Sequence, residues 1–241
     1  MDRLSIVQRL DSLRISVFTT PQVSALLDKD MSSTKMVLSR LNKDDILTRV
    51  KKGHYCLPSS PILSVASNIY TPSYISLWSA FRYYGTTTQS PQVIHVINTD
   101  KSGRREITLE EGEFKLRFIK TDRSFLFGFN KIYQDGKTVF MAEKEKAIVD
   151  GLWFHNYVPL GEIIEAIKDG IDVKKAVEYA EKSDKQVVMK RLGYLMSEQG
   201  LECEPDDFGT LSDTFIPLDP SFPRRGSFDS KWYVIDNRRQ K

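Results

Sequence analysis

The chain has 241 residues, of which 40% are hydrophobic and 28% are charged. This length allows one large domain, or a small domain joined to a medium one. No stretch approaches the roughly 18 apolar residues that span a bilayer, and the N-terminal residues lack a signal-peptide core. Cys56 and Cys203 are too few for a disulfide framework or a cysteine zinc site. We therefore expect a reduced, cytoplasmic protein with no membrane partner.

The positive charge is concentrated in the N-terminal quarter of the chain. Residues 1–58 contain ten basic and six acidic side chains, a net charge of +4, whereas the rest of the chain has a net charge of −1. Cationic side chains displace condensed counterions from phosphate groups. This asymmetry favours a nucleic-acid partner for the N-terminal part.

Three helical patterns and a hairpin occupy the first 58 residues. The first helical pattern is the run DRLSIVQRLD (2–11), and the second begins with Thr20 as N-cap and Pro21 at the first helical position. The third begins at Ser32 or Ser33. The run ILTRVKKGHYCLP (46–58) then indicates two short strands joined by a positively charged turn. This order predicts a winged helix-turn-helix.

The third helix has two contrasting faces at 100° per residue. The inner face is apolar apart from one threonine and consists of Thr34, Val37, Leu38 and Leu41. The outer face has three cations, two hydroxyls and no carboxylate, and consists of Ser32, Lys35, Met36, Ser39, Arg40 and Lys43. Such a face is suited to phosphates and to base edges in a major groove.

The hairpin adds a second basic element. Lys51, Lys52 and His54 would form a wing tip against the flanking DNA backbone, and Gly53 permits the turn. Val50, Tyr55 and Leu57 would anchor the hairpin to the core. The alternative is a three-helix domain for protein contacts, whose cationic face is simply solvated.

A change of pattern follows the run PSSP at 58–61, which indicates a linker over residues 59–61. The predicted domains are therefore 1–58 and 62–241. Residues 62–70 indicate a short helix. The run TPSYISLWSAFRYYG indicates a longer one, with Thr71 as cap and Gly85 as its end.

The second predicted domain is a mixed α/β structure, so the whole chain belongs to the α+β class. Residues 92–141 alternate between apolar and polar side chains as strands do, with a hairpin signal at Asp135-Gly136. Four helical patterns follow, from about residue 142 to Gly200. The run EKEK (143–146), at the start of the first of these helices, predicts a solvated face.

Motifs for catalysis are nearly lacking. We find no glycine-rich phosphate loop, no nucleophile elbow and no pair of histidines at metal spacing. We therefore expect no enzyme, no catalytic residue, no metal and no cofactor. The alternative is a nuclease, because Asp135-Gly136-Lys137 fits a carboxylate-x-lysine pattern with Asp122 or Glu113 upstream. Asp-Gly is also the strongest signal for a hairpin turn.

Four runs in the chain together resemble the AbiEi-like family of antitoxins and transcriptional regulators from phage-defence toxin–antitoxin operons. They are ILTRVKKGHYCLP, YISLWSAFRYYGTTTQSPQVIHVINT, MAEKEKAIVDGL and KRLGYLMSEQG, and they occur in the expected order. The resemblance covers most of the chain. Each motif is modest alone, and the ordered set is more specific.

The resemblance implies a repressor that binds inverted repeats in its own promoter through the winged helix. The C-terminal domain would supply the antitoxin activity against a nucleotidyltransferase-like toxin, without a stable complex. By position, the DNA-contacting residues would be Ser33, Lys35, Met36, Ser39 and Arg40 on the helix and Arg49, Lys51, Lys52 and His54 on the wing. Lys43, on the same outer face, completes the predicted interface with double-stranded DNA.

Overall fold

The computed structural model describes residues 3–89 and 92–238, so residues 1–2, 90–91 and 239–241 lie outside the described part of the chain. Within the described residues the protein is a mixed α+β structure with nine α-helices and twelve strands. It divides into two compact units. The first unit contains Met1–Ile75, Gln92–Asp122 and Asn130–Met141, and the second contains Ser76–Pro91, Arg123–Phe129 and Ala142–Lys241.

The first unit begins with three helices and a small antiparallel sheet. The elements are α1 (Arg3–Ser12), β1 (Phe18–Thr19), α2 (Thr20–Leu27), α3 (Met31–Lys43), β2 (Thr48–Lys51) and β3 (His54–Cys56). Strand β3 lies between β1 and β2. The helices and the hairpin share one apolar core, which includes Leu10, Phe18, Leu38 and Tyr55. The predicted inner face of α3 is confirmed, because Thr34, Leu38 and Leu41 are buried and Val37 packs partly buried against the core.

Two helix starts differ from prediction by one or two residues. Thr19, and not Thr20, caps α2: its Oγ1 accepts from the Gln22 N–H at 3.3 Å, and the Thr19 N–H donates to Gln22 Oε1 at 2.8 Å. Asp30 caps α3 by accepting from the N–H groups of Ser32 and Ser33 at 2.8 and 2.9 Å. One carboxylate oxygen thus satisfies two of the donors that a helix start leaves free.

The first unit also contains helix α4 (Ile62–Ala66) and all but two terminal strand residues of a six-stranded mixed sheet. Its strands are β4 (Ser73–Ile75), β5 (Val93–Asn98), β6 (Gly103–Leu109), β7 (Gly112–Lys120), β8 (Phe129–Gln134) and β9 (Lys137–Ala142). Their order across the sheet is β6-β7-β5-β4-β9-β8. The predicted helix over 71–85 is wrong in its first half, since β4 is an inner strand with all three residues buried. Only α5 (Trp78–Tyr83), in the second unit, is helical.

Residues 1–58 are joined to this sheet by polar contacts. The Thr48 hydroxyl donates to the Thr108 carbonyl at 3.3 Å, and the Glu110 N–H donates to the Pro58 carbonyl at 3.0 Å. The buried Lys137 ammonium donates to Asp11 Oδ1 at 3.1 Å and to the Ser60 hydroxyl at 3.3 Å. The predicted boundary at 59–61 therefore lies inside the first unit.

The second unit is mainly helical. With α5 it contains α6 (Lys144–Trp153), α7 (Leu160–Lys168), α8 (Val173–Lys182), α9 (Gln186–Glu198) and a small sheet of β10 (Ile216–Pro217), β11 (Ser227–Asp229) and β12 (Val234–Asp236). Helix α6 is central, and every residue from Glu145 to Leu152 is buried. The predicted solvated face at 143–146 is thus wrong: Lys146 is fully buried, pairs with Asp150, and lies 4.0 Å from the Phe125 ring centre. Among the helices described, none is both long and apolar enough to cross a membrane.

Candidate nucleic-acid interface

The outer face of α3 is exposed and cationic. Five of the predicted contact residues are exposed on it, namely Lys35, Met36, Ser39, Arg40 and Lys43. Met36 is 56% exposed and adds one apolar side chain to this face. A helix of 13 residues is about 20 Å long, which presents these side chains along one row.

Carboxylates lie only at the two ends of α3. At the start, a hydrogen bond from the Ser33 side chain is the main reason that the pKa of Asp30 lies below its ordinary value. Ser33 is therefore engaged in capping and is only partly exposed. At the far end, Asp44 pairs with Arg3 at 2.8 Å. The middle of the exposed face carries positive charge alone.

The hairpin tip is a tight turn held against α2. Gly53 has φ of 72°, a left-handed conformation that glycine adopts without strain, and its carbonyl accepts from the Thr20 N–H at 2.9 Å. Arg49 and Lys52 are exposed. His54 is half-buried, with Nδ1 at 3.1 Å from the Lys52 carbonyl oxygen. Two of the predicted wing cations therefore face solvent.

Lys51 has a different environment from the other wing residues. Its ammonium lies 4.3 Å from the centre of the Tyr70 ring, in a cation–π contact. Partial burial lowers the pKa of Lys51, and the nearby Asp100 carboxylate opposes that shift. The Lys51 side chain thus packs back onto the first unit and does not extend from the hairpin tip.

A cleft of about 410 Å³ lies beside the hairpin, and we call it the hairpin cleft. Lys51 and His54 line it together with Arg14, Lys131 and Asp100, so cationic side chains outnumber the carboxylate. Arg14 and Lys131 were not predicted as site residues. Lys131 lies on β8, far along the chain, and only the sheet brings it near the hairpin. No local sequence signal identifies it.

The nuclease pattern has the geometry of a turn. Asp135 and Gly136 have φ of 48° and 74° and connect β8 to β9, as the hairpin reading predicts. Asp135 is exposed, whereas Lys137 is buried and bonded to Asp11. In residues 3–89 and 92–238, no group of three or more histidine, cysteine, aspartate or glutamate side chains is placed to hold a metal ion. These contacts give Lys137 a structural role.

Comparison with protein-family models and with curated proteins finds no match for this chain. The family resemblance therefore stays an interpretation of the sequence motifs. The motif KRLGY nevertheless has a clear place in the second unit. Gly193 lies against the Trp232 ring, and the Tyr194 hydroxyl donates to Asp236 Oδ2 at 3.1 Å. Arg191, from the same motif, is buried at the wall of a cavity.

Proposed function

We propose that residues 1–58 form a winged helix-turn-helix and that the protein is a sequence-specific DNA-binding repressor. The observation that supports this most directly is the exposed face of α3, which presents three cations and no carboxylate. Helix α3 and the hairpin pack on one apolar core, so the two basic surfaces are held together. An α-helix fits the DNA major groove, which is about 12 Å wide.

The proposed contacts fall into two groups. Lys35 and Arg40, in the middle of α3, would bind base edges, because long cationic side chains are the usual partners of guanine. Arg49 and Lys52 would bind backbone phosphates beside the groove. The hairpin cleft, with Lys51 among its cations, would accept a further phosphate of the same strand. Base contacts set the preferred sequence, and phosphate contacts set the salt dependence.

We further propose that the protein represses its own operon and acts in the cytoplasm as an antitoxin. The ordered motifs that resemble the AbiEi-like family support this proposal. The partner would be a nucleotidyltransferase-like toxin, which the residues after position 61 would counteract without a stable complex. One recognition helix covers one half-site, so two copies are expected on an inverted repeat.

The proposal is tested by fluorescence anisotropy with DNA from immediately upstream of the gene, against a scrambled duplex at physiological salt. We expect a preference of about a thousandfold, which is within the range of specific regulators. The Lys35→Ala/Arg40→Ala double variant should abolish that preference. Lys174→Ala, which removes an exposed charge from α8, is the matched control and should retain it. Equal, weak binding of both duplexes would contradict the proposal and favour a protein-contacting module.

A further inference from the structure

The second unit contains a cavity of about 590 Å³ that the DNA-binding proposal does not use. Small-molecule sites usually measure about 300–1,000 Å³ and combine apolar walls with a few polar groups. This cavity fits that description. Aromatic side chains of Trp78, Tyr157 and Phe222 form part of its wall, and Arg191 and Asp219 supply charged groups.

Arg191 is the unusual group in this wall. Its side chain projects from α9, and the residue is only 6% exposed. Its Nε donates to the Pro217 carbonyl and its Nη1 to the Leu152 carbonyl, each at 3.1 Å. In the described part of the chain, no carboxylate lies within ion-pair distance of it and no acceptor is bonded to Nη2. The guanidinium therefore has spare donors at the cavity.

The charge on Arg191 persists despite this burial. Burial lowers the pKa of Arg191 to about 10, and the nearby Asp219 carboxylate opposes the shift, so the group is a cation at neutral pH. A buried cation without a paired anion is costly to the folded state. The indole Nε1 of Trp78 is likewise buried with no acceptor among the described residues. This wall thus contains a cation with no ion-pair partner among the described residues and one buried donor, Trp78 Nε1, that lacks an acceptor.

We infer that this cavity binds a small monocarboxylate with an apolar or aromatic body. The carboxylate would accept from the Arg191 guanidinium, and the body would lie against the aromatic wall. Asp219 lines the same cavity and would repel a second negative charge, so the site favours a carboxylate over a phosphate dianion. This inference does not depend on DNA binding.

Calorimetric titration of the full chain with phenylacetate tests the inference, with phenylacetamide as the uncharged probe of the same shape. We expect phenylacetate to bind with a Kd of about 1 mM or tighter. The amide should bind at least about tenfold more weakly, because it offers no charge to Arg191. Absence of saturable binding, or equal affinity for acid and amide, would overturn the inference.

Two variants distinguish a loss of ligand binding in the cavity from a loss of folding. Arg191→Met should weaken phenylacetate binding by about tenfold or more, through loss of the charge-assisted hydrogen bond. Should this variant fail to fold, Gly161→Phe provides an independent test. Gly161 lines the cavity, and a Cβ there would meet nothing within 4 Å, so a large side chain can be added at the cavity wall without a clash at Cβ.

Glu165→Phe is the matched control for the filling variant. Glu165 lies on the same helix and is exposed, but does not line the cavity. We expect Gly161→Phe to abolish phenylacetate binding and Glu165→Phe to retain it. Binding that survives Gly161→Phe unchanged would place the ligand elsewhere and refute the assignment.

Discussion

Replacement of Gly193 by alanine should strongly destabilise the second unit, although the same replacement elsewhere in a helix is favourable. A Cβ on Gly193 would lie 2.1 Å from Trp232 Cζ3, far inside van der Waals contact. The Trp232 ring has no free space to retreat into. It is 1% exposed, its Nε1 donates to the Ser197 hydroxyl at 3.0 Å, and it packs edge-on against Phe208 at 5.5 Å.

The magnitude follows from opposing contributions. Alanine is better than glycine inside a helix by about 1 kcal/mol. Overpacking of a core costs about 1–3 kcal/mol, and loss of the packing of a large aromatic side chain costs about 3–5 kcal/mol. Because the whole indole ring must shift, we expect Gly193→Ala to lower the free energy of unfolding by about 2–4 kcal/mol.

Gly161→Ala is the matched control. It is the same chemical change in another helix of the second unit, but its Cβ would meet nothing within 4 Å. We expect it to leave stability unchanged or to raise it by up to about 1 kcal/mol. The sign of the effect should therefore differ between two glycine-to-alanine replacements in one unit.

Urea unfolding followed by tryptophan fluorescence measures both variants. All three tryptophans, Trp78, Trp153 and Trp232, lie in the second unit, so their emission reports on that unit. The dependence of free energy on urea should keep its slope, because the exposed surface hardly changes. A Gly193→Ala variant within about 0.5 kcal/mol of the parent would show that the packing argument is wrong.

Three further predictions concern the first unit. Lys52→Ala should reduce the slope of log affinity against log salt by about 1, whereas Lys51→Ala should reduce it less because its ammonium packs on an aromatic ring; equal effects in salt titrations would contradict this. Lys35→Ala and Arg40→Ala should each cost about 1–3 kcal/mol of binding and relax sequence preference, measured with single-base operator variants. Burial, helped by a nearby arginine, lowers the pKa of His95 to about 4, below the ordinary 6.5. The unfolded chain therefore binds that proton first, and stability is lost as pH falls from about 6.5 towards 4, by at most about 3 kcal/mol. His95→Gln should flatten that acid limb in unfolding experiments, and an unchanged limb would assign it to other groups.

Short-range patterns predicted much of the fold. The apolar stripe of α3 and the Asp135-Gly136 turn are both determined by neighbours in sequence, and both predictions are confirmed. The sequence predicts residues 73–75 as helix because Thr71 and Pro72 form a typical helix start and Gly85 a typical helix end. Its three residues are buried within the sheet, and only pairing with distant strands makes them a strand.

Charged residues were the harder part of the prediction. Lys146 was expected in solvent, because lysine is rarely buried without a partner. Asp150 and two phenylalanine rings supply that partner, and the rings lie about 20 residues earlier in the chain. The hairpin cleft was not predicted for the same reason. Arg14 and Lys131 are brought near Lys51 by tertiary packing, which no local pattern of charge encodes.

The contacts between residues 1–58 and the sheet bear on how this protein can diversify. Three hydrogen bonds join segments that are distant in the gene. They connect Lys137 with Asp11, Thr48 with Thr108 of β6, and Pro58 with Glu110 in the turn after β6. Recombination at position 58 would separate the buried Lys137 from the Asp11 carboxylate and remove the partners of the Thr108 carbonyl and the Glu110 N–H. The segment is therefore poorly suited to exchange between proteins as a cassette. Under the proposed DNA-binding function, new specificities should arise through point changes at exposed positions such as Lys35, Ser39 and Arg40, which the core does not constrain.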